Sequence, residues 1–329
     1  MTTRRKIIIA MGAGALAPVA SFAQAPGKIW RIGFLAQRHV ELNNADFIYG
    51  PFTQGLRELG YVTGKNLLIE WRSAEGKDER LPELAAELVR LKIDVLVTAG
   101  TPPALAAQKA TATIPIVAIN MADPTGSGLV KSLARPGGNI TGFSNLVADI
   151  APKLLELLHA MTRQVTRVAV LVNPSDVSTV LGMKNILAAA KQVGVTVQPV
   201  EARTPQEIEN AFAVMARQKT GALIVTRNPL FQQQKNQIVE LAAKHRLPSI
   251  GGYGEYVEAG GLMSYGNNIG ENYRRAPVYV DKIFKGANPG ELPVQQPTTF
   301  DLAVNMKTAK TLGLKVPQSI LILATKVIE

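Results

Sequence analysis

The segment from Thr113 to Ser144 constrains the fold more than any other part of the chain. It contains an apolar run at 114–119, turn-forming residues at 123–126, a short apolar helical pattern at 129–133 and a second apolar run at 140–143. This order predicts strand, turn, helix and strand, which is the repeating unit of an α/β protein. Ligands of such proteins bind at the carboxyl ends of the strands.

The same alternation of apolar strand patterns and amphipathic helix patterns continues through the rest of the chain. Strand patterns occur at 28–36, 66–71 and 93–97 in the first half, and at 168–172, 195–199 and 222–225 in the second half. Helix patterns with short connections separate them, which favours parallel sheets covered by helices on both faces. We therefore expect two successive α/β halves of similar architecture.

Composition excludes several classes of function. The chain of 329 residues has no cysteine, so it cannot form disulfides, thiolate metal sites or a cysteine nucleophile. Its formal net charge is +11, but the basic residues are dispersed, and this pattern does not predict a nucleic-acid partner. We found no nucleophile elbow, zinc-protease, phosphate-loop or calcium-loop motif, and we predict neither an enzyme nor a cofactor.

The amino terminus has the pattern of a signal peptide, which we assign to residues 1–25. Arg4, Arg5 and Lys6 precede an apolar stretch at 7–20 that is too short for a membrane span, and small residues follow it. We expect cleavage after Ala23 rather than after Ala25. Export by the general secretory route and by the twin-arginine route are equally compatible with the basic pair.

The segment that opens this section also resembles a known family. It contains IPIV at 114–117, DPTGSGLV at 123–130 and SLARPGGNITGFS at 132–144. Together these resemble the substrate-binding proteins of ABC transporters, whose characterised members bind tryptophan, tyrosine or phenylalanine. The resemblance covers nearly all of residues 28–329. Thr125 stands where an aliphatic residue is expected, so this chain departs from the family pattern there.

The resemblance implies a type I periplasmic binding fold, with two doubly wound parallel-sheet lobes joined by a hinge. In this fold the late segments of the chain cross back between the lobes. We expect one lobe to comprise 26–145 and 263–293, and the other to comprise 146–262 and 294–329. The resemblance further implies a monomer in the periplasm, with a small-molecule ligand and an inner-membrane ABC permease with its ATPase as partners. Without a cysteine, the protein cannot carry the lipid anchor of many relatives.

Candidate ligand-binding residues lie where polar side chains follow predicted strands. Asp123 is able to hold the ammonium group of an amino acid or simply to form a turn before Pro124, and the resemblance favours the first role. Thr98, Gly100 and Thr101 lead from a strand into a helix. Their hydroxyl and amide groups suit a ligand carboxylate, although Thr101 is equally able to cap the helix.

Further candidates come from matching positions and from a glycine-rich segment. Asn173, Ser175, Asn228 and, more weakly, Gln37 follow other strands, where an ordinary turn is the alternative interpretation. Tyr253 and Glu255, within the segment 251–255, offer an aromatic face and a second ammonium partner, or else form part of a flexible crossing loop.

The function predicted from the sequence is that of an exported binding protein. It would capture a small molecule, expected to be an aromatic or other amino acid, between its lobes and deliver it to a membrane permease. A periplasmic sensor for a membrane receptor is the first alternative, since sequence does not separate it from a transport protein. A periplasmic enzyme on the same fold is the second alternative, and a reactive residue pair in the cleft would identify it.

Overall fold

A computed structural model describes residues 28–38 and 49–329 of the chain. The predicted signal peptide lies outside this range. Within the described range, the strands are β1 (Trp30–Ala36), β2 (Leu67–Ser73), β3 (Val95–Ala99), β4 (Ile116–Met121), β5 (Ile140–Ser144), β6 (Arg167–Val172), β7 (Thr196–Glu201), β8 (Ala222–Val225), β9 (Ser249–Gly251), β10 (Met263–Gly266), β11 (Asp301–Asn305) and β12 (Lys326–Ile328).

The helices separate most of these strands. They are α1 (Gly50–Glu58), α2 (Leu81–Arg90), α3 (Thr101–Ala110), α4 (Val147–Met161), α5 (Val177–Val193), α6 (Pro205–Arg217), α7 (Pro229–Gln233), α8 (Lys235–Lys244), α9 (Glu255–Glu258), α10 (Ile269–Phe284), α11 (Met306–Thr311) and α12 (Gln318–Leu323). Short 3-10 helices occupy Asp78–Arg80 and Pro289–Glu291. None of the helices in the described ranges has both the length and the apolar character needed to cross a bilayer.

The first sheet has five parallel strands in the order β2-β1-β3-β4-β5. All residues of β3, β4 and β5 are buried, because helices cover both faces of the sheet. One face packs against α1 and α10, and the other packs against α2 and α3. The strand order reverses direction at β1 and β3, and loops at their carboxyl ends form the switch point where such sheets bind ligands.

The second sheet has seven strands in the order β12-β11-β10-β9-β8-β6-β7. Its strands are parallel except at the pairing of β10 with β11, which is antiparallel. The buried core combines α4 and α5 with the central strands on one face, and α6, α8 and Tyr256 with the same strands on the other. The predicted α/β class with two parallel-sheet lobes is therefore confirmed, with one antiparallel pair added.

The chain crosses between the two sheets after β5, after β10 and before β11. Helix α10 packs against α1 and β4 of the first sheet, and the ring centroids of Phe143 and Tyr279 lie 5.0 Å apart in a tilted arrangement. Gln295 then bonds to Gly142 of β5 at 2.9 Å before the chain returns to the second sheet. We expected 263–293 to belong to the first lobe, but Met263–Gly266 pairs with β9 and so lies in the second sheet.

The helix predicted at 129–133 is wrong. Residues 124–134 form a series of turns, and Gly128 adopts a φ of 75°, in the left-handed region that ends helical geometry. Leu129 and Val130 are nevertheless buried, at 4% and 6% exposure, and this burial explains their apolar character. In the second lobe two short helices follow β8 in succession, because α7 ends at Gln233 and α8 begins at Lys235.

Candidate ligand-binding site between the two lobes

A cavity lies between the carboxyl ends of the strands in the two sheets. It holds about 680 Å³ of empty space, its open mouth included. The residues that line it come from both lobes: Gln37, Arg38, Tyr49, Ala99, Gly100, Thr101, Pro102, Asn120, Ala122 and Asn145 from the first, Val147, Asp176, Arg227, Pro229 and Gln232 from the second, and Ile269 and Tyr273 from the start of α10. A ligand here would contact both lobes at once.

Two opposite charges reach the cavity from adjacent strands of the second sheet. Asp176 follows β6 and Arg227 follows β8, and neighbouring strands are about 5 Å apart. The amide of Asn228 donates to Oδ2 of Asp176 at 2.8 Å, and its own oxygen accepts from the main chain of Leu230 at 3.0 Å. Asn228 therefore caps α7 and holds the carboxylate of Asp176 in place.

Arg227 carries a positive charge that is costly to keep out of water. In the described part of the chain its hydrogen-bond partners are the side-chain and main-chain oxygens of Asn267, at 2.8 and 3.0 Å, while its Nε is enclosed without a partner. Burial lowers the pKa of Arg227 to about 10, and the nearby charge of Glu255 acts in the opposite direction. The guanidinium thus remains charged at neutral pH, and an anionic ligand group would stabilise it.

The first lobe contributes the amino-terminal end of α3 and the side-chain amide of Gln37. Gly100 has a φ of 99°, and Thr101, the first residue of α3, accepts a hydrogen bond from the main chain of Ala122 at 2.9 Å. Gln37 donates from Nε2 to both carboxylate oxygens of Asp78, at 2.7 and 2.8 Å. Burial, followed by repulsion from Asp176 and Glu79, raises the pKa of Asp78, and the hydrogen bond from Gln37 partly offsets this.

Buried amides form a further part of the cavity wall. Asn120 has a φ of 62°, and its side chain accepts from Asn272 at 2.7 Å. Asn145 donates to the main chain of Asn120 at 2.9 Å. Gln232 is only 8% exposed, and its Nε2 has no hydrogen-bond partner among the described residues. Such a buried donor normally has an acceptor, so Gln232 points to a polar ligand or to water in the cavity.

The aromatic surface of the cavity comes from Tyr49 and Tyr273. Their rings meet edge to face at 5.6 Å, and Tyr49 also packs against Phe34 and Trp71. Tyr253, which the sequence suggested for this role, is fully buried and donates its hydroxyl to the main chain of Phe231 at 2.9 Å. Burial also raises the pKa of Tyr253 well above its ordinary value, so it is a neutral core residue.

The structure places several other candidate residues outside the cavity wall. Asp123 is half-buried and accepts hydrogen bonds from Gly126 N at 2.8 Å and Thr125 Oγ1 at 3.3 Å, so its carboxylate closes its own turn. Asn173 similarly bonds to the main chain of Ser175 at 3.0 Å. The residues suggested from sequence that do not line the cavity are Thr98, Asp123, Asn173, Ser175, Asn228, Tyr253 and Glu255.

The remaining suggested residues, Gln37, Gly100 and Thr101, do line it. Sequence reasoning missed Asp176 and Arg227. Each lies in the polar segment that follows a predicted strand, and this position was the signal that could have identified them. Nothing local marked Tyr49 or Tyr273, which reach the cavity through helix packing. Across residues 28–38 and 49–329, no group of three or more histidines and carboxylates is arranged to hold a metal ion.

Comparison with known proteins gives a consistent set of relatives. The family model for ABC transporter substrate binding proteins matches residues 36–328. A curated relative is the tyrosine-binding protein of Clostridioides difficile (strain R20291), which is 27% identical over 276 residues, 84% of this chain and 79% of that protein. A solved structure of the ABC domain from Streptococcus pneumonia in complex with L-Trp has a TM-score of 0.82 at 28% identity, covering 91% of this chain and 99% of that one.

A second solved structure has almost the same sequence identity to this chain but a lower TM-score. The ligand-free, open structure of a substrate binding protein with adhesive properties from Clostridium difficile is 26% identical, with the same coverage of 91% and 99%, but its TM-score is 0.66. The TM-score is therefore higher with the L-Trp complex than with the open form, at almost equal identity.

Proposed function

Because the chain belongs to the family of ABC transporter substrate-binding proteins, we propose that it is exported, captures an amino acid between its lobes and delivers it to a membrane permease. The relatives reported above are solute-binding proteins and not enzymes. The observation that carries the choice of ligand is the pair of opposite charges, Asp176 and Arg227, at adjacent strand ends in one cavity.

This charge pair matches the main-chain groups of a free amino acid. An ammonium group has only donors and suits the carboxylate of Asp176, whereas a ligand carboxylate has only acceptors and suits the guanidinium of Arg227. The Nε2 of Gln232, which has no hydrogen-bond partner within the described ranges, offers an additional donor. A zwitterion would therefore offset two buried or half-buried charges at once, which a neutral sugar would not.

The aromatic wall favours an aromatic amino acid within this class. Tyr49 and Tyr273 line the cavity, and their rings meet edge to face. Aromatic pairs add about 0.5–1.5 kcal/mol beyond the burial of their area. The tyrosine-binding and L-Trp-bound relatives support the same choice.

Lobe closure links capture to delivery. Asp176 and Arg227 belong to the second lobe, while Gln37, Gly100 and Thr101 belong to the first, so a ligand gains contacts to both only when the cleft is closed. A ligand with this difference in contacts shifts the population towards the closed form, which the permease would recognise. The greater similarity to the ligand-bound relative supports this description.

The test is thermal unfolding of the purified protein, after denaturation and refolding to remove any ligand that co-purifies. A ligand present at about 100 times its Kd adds roughly 2.7 kcal/mol of stability and raises the Tm by several degrees. We expect such shifts with tryptophan, tyrosine or phenylalanine. A panel of twenty amino acids that leaves the Tm unchanged, beside a sugar that raises it, would reject the amino-acid ligand.

Export and delivery need separate measurements. The mass of the protein recovered from the periplasm should correspond to a chain beginning at Gln24, and an intact amino terminus there would contradict the predicted cleavage. Uptake of the labelled ligand by cells should fall when the gene for this chain is deleted and should return with a plasmid copy. Unchanged uptake together with tight binding would favour the sensor.

A further inference from the structure

One carboxylate of each lobe is connected to the cavity wall: Asp176 lines the cavity, and Asp78 is bonded to Gln37, which lines it. Asp176 follows β6 of the second lobe, and Asp78 lies in the 3-10 helix after β2 of the first lobe. Each is held by an amide: Asn228 donates to Asp176 at 2.8 Å, and Gln37 donates to both oxygens of Asp78 at 2.7 and 2.8 Å. Burial is the main cause that raises the pKa of Asp78, and repulsion from the charge of Asp176 adds to it.

The bond to Asp78 fixes which way the Gln37 amide faces. Only the NH₂ end of an amide can donate to a carboxylate, and the carbonyl end would be repelled by it. Nε2 of Gln37 therefore points to Asp78, and Oε1 is left as the acceptor of a side chain that lines the cavity. The first lobe thus lines the cavity with an acceptor backed by a negative charge, and Asp176 of the second lobe lines the same cavity.

Other groups in the cavity show that the site is built for a ligand with both donors and acceptors. Gln232 is 8% exposed, and neither its Nε2 nor the enclosed Nε of Arg227 has a partner in the part of the chain that the structure describes. Arg38 also lines the cavity and adds a second positive charge. These donors suit an acceptor on the ligand, whereas Gln37 and Asp176 suit a group that only donates. A primary ammonium is such a group.

We propose that Asp78 and Gln37 of the first lobe close with Asp176 of the second lobe on the ligand's ammonium group, so that a cationic nitrogen is required for closure. This inference rests on the proposed function, because it assigns the specificity of the same cleft. Without a cation between them, the two carboxylates repel each other and disfavour closure. When a cation lies between them, its attraction to the carboxylates of both lobes acts only in the closed form.

We call this arrangement of Asp78, Gln37 and Asp176 the clamp. It is tested with pairs of ligands that differ only in the amino group. L-tryptophan is compared with indole-3-propionate, and L-tyrosine with 3-(4-hydroxyphenyl)propionate, by titration calorimetry on the full-length mature protein. The clamp predicts that each deaminated acid binds at least about tenfold more weakly than its amino acid. Asp78→Asn keeps an acceptor for Gln37 and should lower the affinity for the amino acid about tenfold, while leaving the deaminated acid unchanged or slightly tighter.

Glu79→Gln is the matched control. Glu79 is the exposed neighbour of Asp78 in the same 3-10 helix, so this variant removes an equal charge at nearly the same place without touching the cleft. It should leave both affinities unchanged. If Glu79→Gln changes them as much as Asp78→Asn does, the effect is one of general charge, and the clamp is wrong.

The outcomes separate the clamp from the proposed function. If the wild-type protein binds no amino acid, the proposed function fails and the clamp fails with it. If it binds an amino acid and the deaminated acid equally well, or if Asp78→Asn leaves their affinity ratio unchanged, only the clamp is overturned. A tenfold or larger ratio that collapses in Asp78→Asn supports both.

Discussion

Asn228 bonds to Oδ2 of Asp176 at 2.8 Å while its own Oδ1 caps α7 through the main chain of Leu230 at 3.0 Å. One side chain, 2% exposed, thus connects the stability of a helix to the placement of a charge in the cavity. Removing it should affect both folding and binding, and a suitable control separates the two effects.

Asn228→Ala is expected to lower the free energy of unfolding by about 1 kcal/mol, the usual cost of losing an N-cap, and to weaken amino-acid binding because Asp176 loses its support. Asn305 is the control. It is 6% exposed and caps α11 through the main chain of Thr308 at 3.0 Å, away from the cavity. Asn305→Ala should cost similar stability in denaturant titrations but leave the Kd unchanged. Equal binding in both variants would show that Asn228 has no positioning role.

Arg227→Gln is expected to weaken binding of amino acids about ten- to a hundredfold, because a hydrogen bond to a charged group contributes about 1.5–3 kcal/mol. The effect should be confined to ligands with a carboxylate. Tryptamine, which has the ring and the amine of tryptophan but no carboxylate, should bind the variant as well as it binds the wild type. An equal loss for both ligands in titration calorimetry would mean that the variant disturbs the cavity as a whole.

Asp78 should make the ligand-free protein less stable as the pH rises. Its pKa is raised in the folded state by burial and by the charges of Asp176 and Glu79, so the folded protein holds this proton more tightly than the unfolded chain does. Below about pH 4 both states are protonated and no penalty exists, and the penalty develops as the pH rises through the folded pKa. Asp78→Asn should therefore match the wild type in Tm at low pH and exceed it at pH 7.

Thermal unfolding from pH 3.5 to 8 measures this difference directly. A saturating amino-acid ligand should reduce the difference at pH 7, because its ammonium group would stabilise the ionised wild-type pair. A variant that is less stable than the wild type at pH 7 without ligand would contradict the assignment of a penalty to Asp78.

Gly142 should not tolerate a side chain. Its φ is 139°, and a Cβ there would lie 1.9 Å from the main-chain oxygen of Ala118 on the neighbouring strand. Gly142→Ala is therefore expected to cost about 3 kcal/mol or more, from overpacking and backbone strain together. Gly138 lies in the same segment with nothing within 4 Å of its added Cβ, so Gly138→Ala should change the free energy of unfolding by less than about 0.5 kcal/mol. Urea titration of both variants checks the contrast.

Much of the fold was predictable because apolar periodicity is a local property. The strand predicted at 222–225 is β8 as observed. The helix at 129–133 was wrong because Leu129 and Val130 are buried as part of a turn structure, and apolar character alone does not distinguish burial in a loop from burial in a helix.

The candidate site was less predictable, since it depends on which group each polar side chain finds nearest. Asp123 and Asp176 both follow strands, and sequence offered the same argument for either. In the folded chain Asp123 bonds to its own turn through Gly126, whereas Asp176 is held by Asn228 at the cavity wall. The position of Asp123 therefore supports the turn, which was the alternative interpretation of this residue.

The sequence by itself determined the order of strands and helices, the α/β class and the family, because these follow from hydrophobic spacing and from a contiguous motif at 114–144. Only the tertiary structure decided that Gln37, which bonds to Asp78, lines one cavity with Asp176, and that Tyr273 rather than Tyr253 lines it. The physical reason is that strand order, crossings between sheets and helix packing bring together residues far apart in the chain, and charge, burial and hydrogen bonding are defined only once those neighbours are in place.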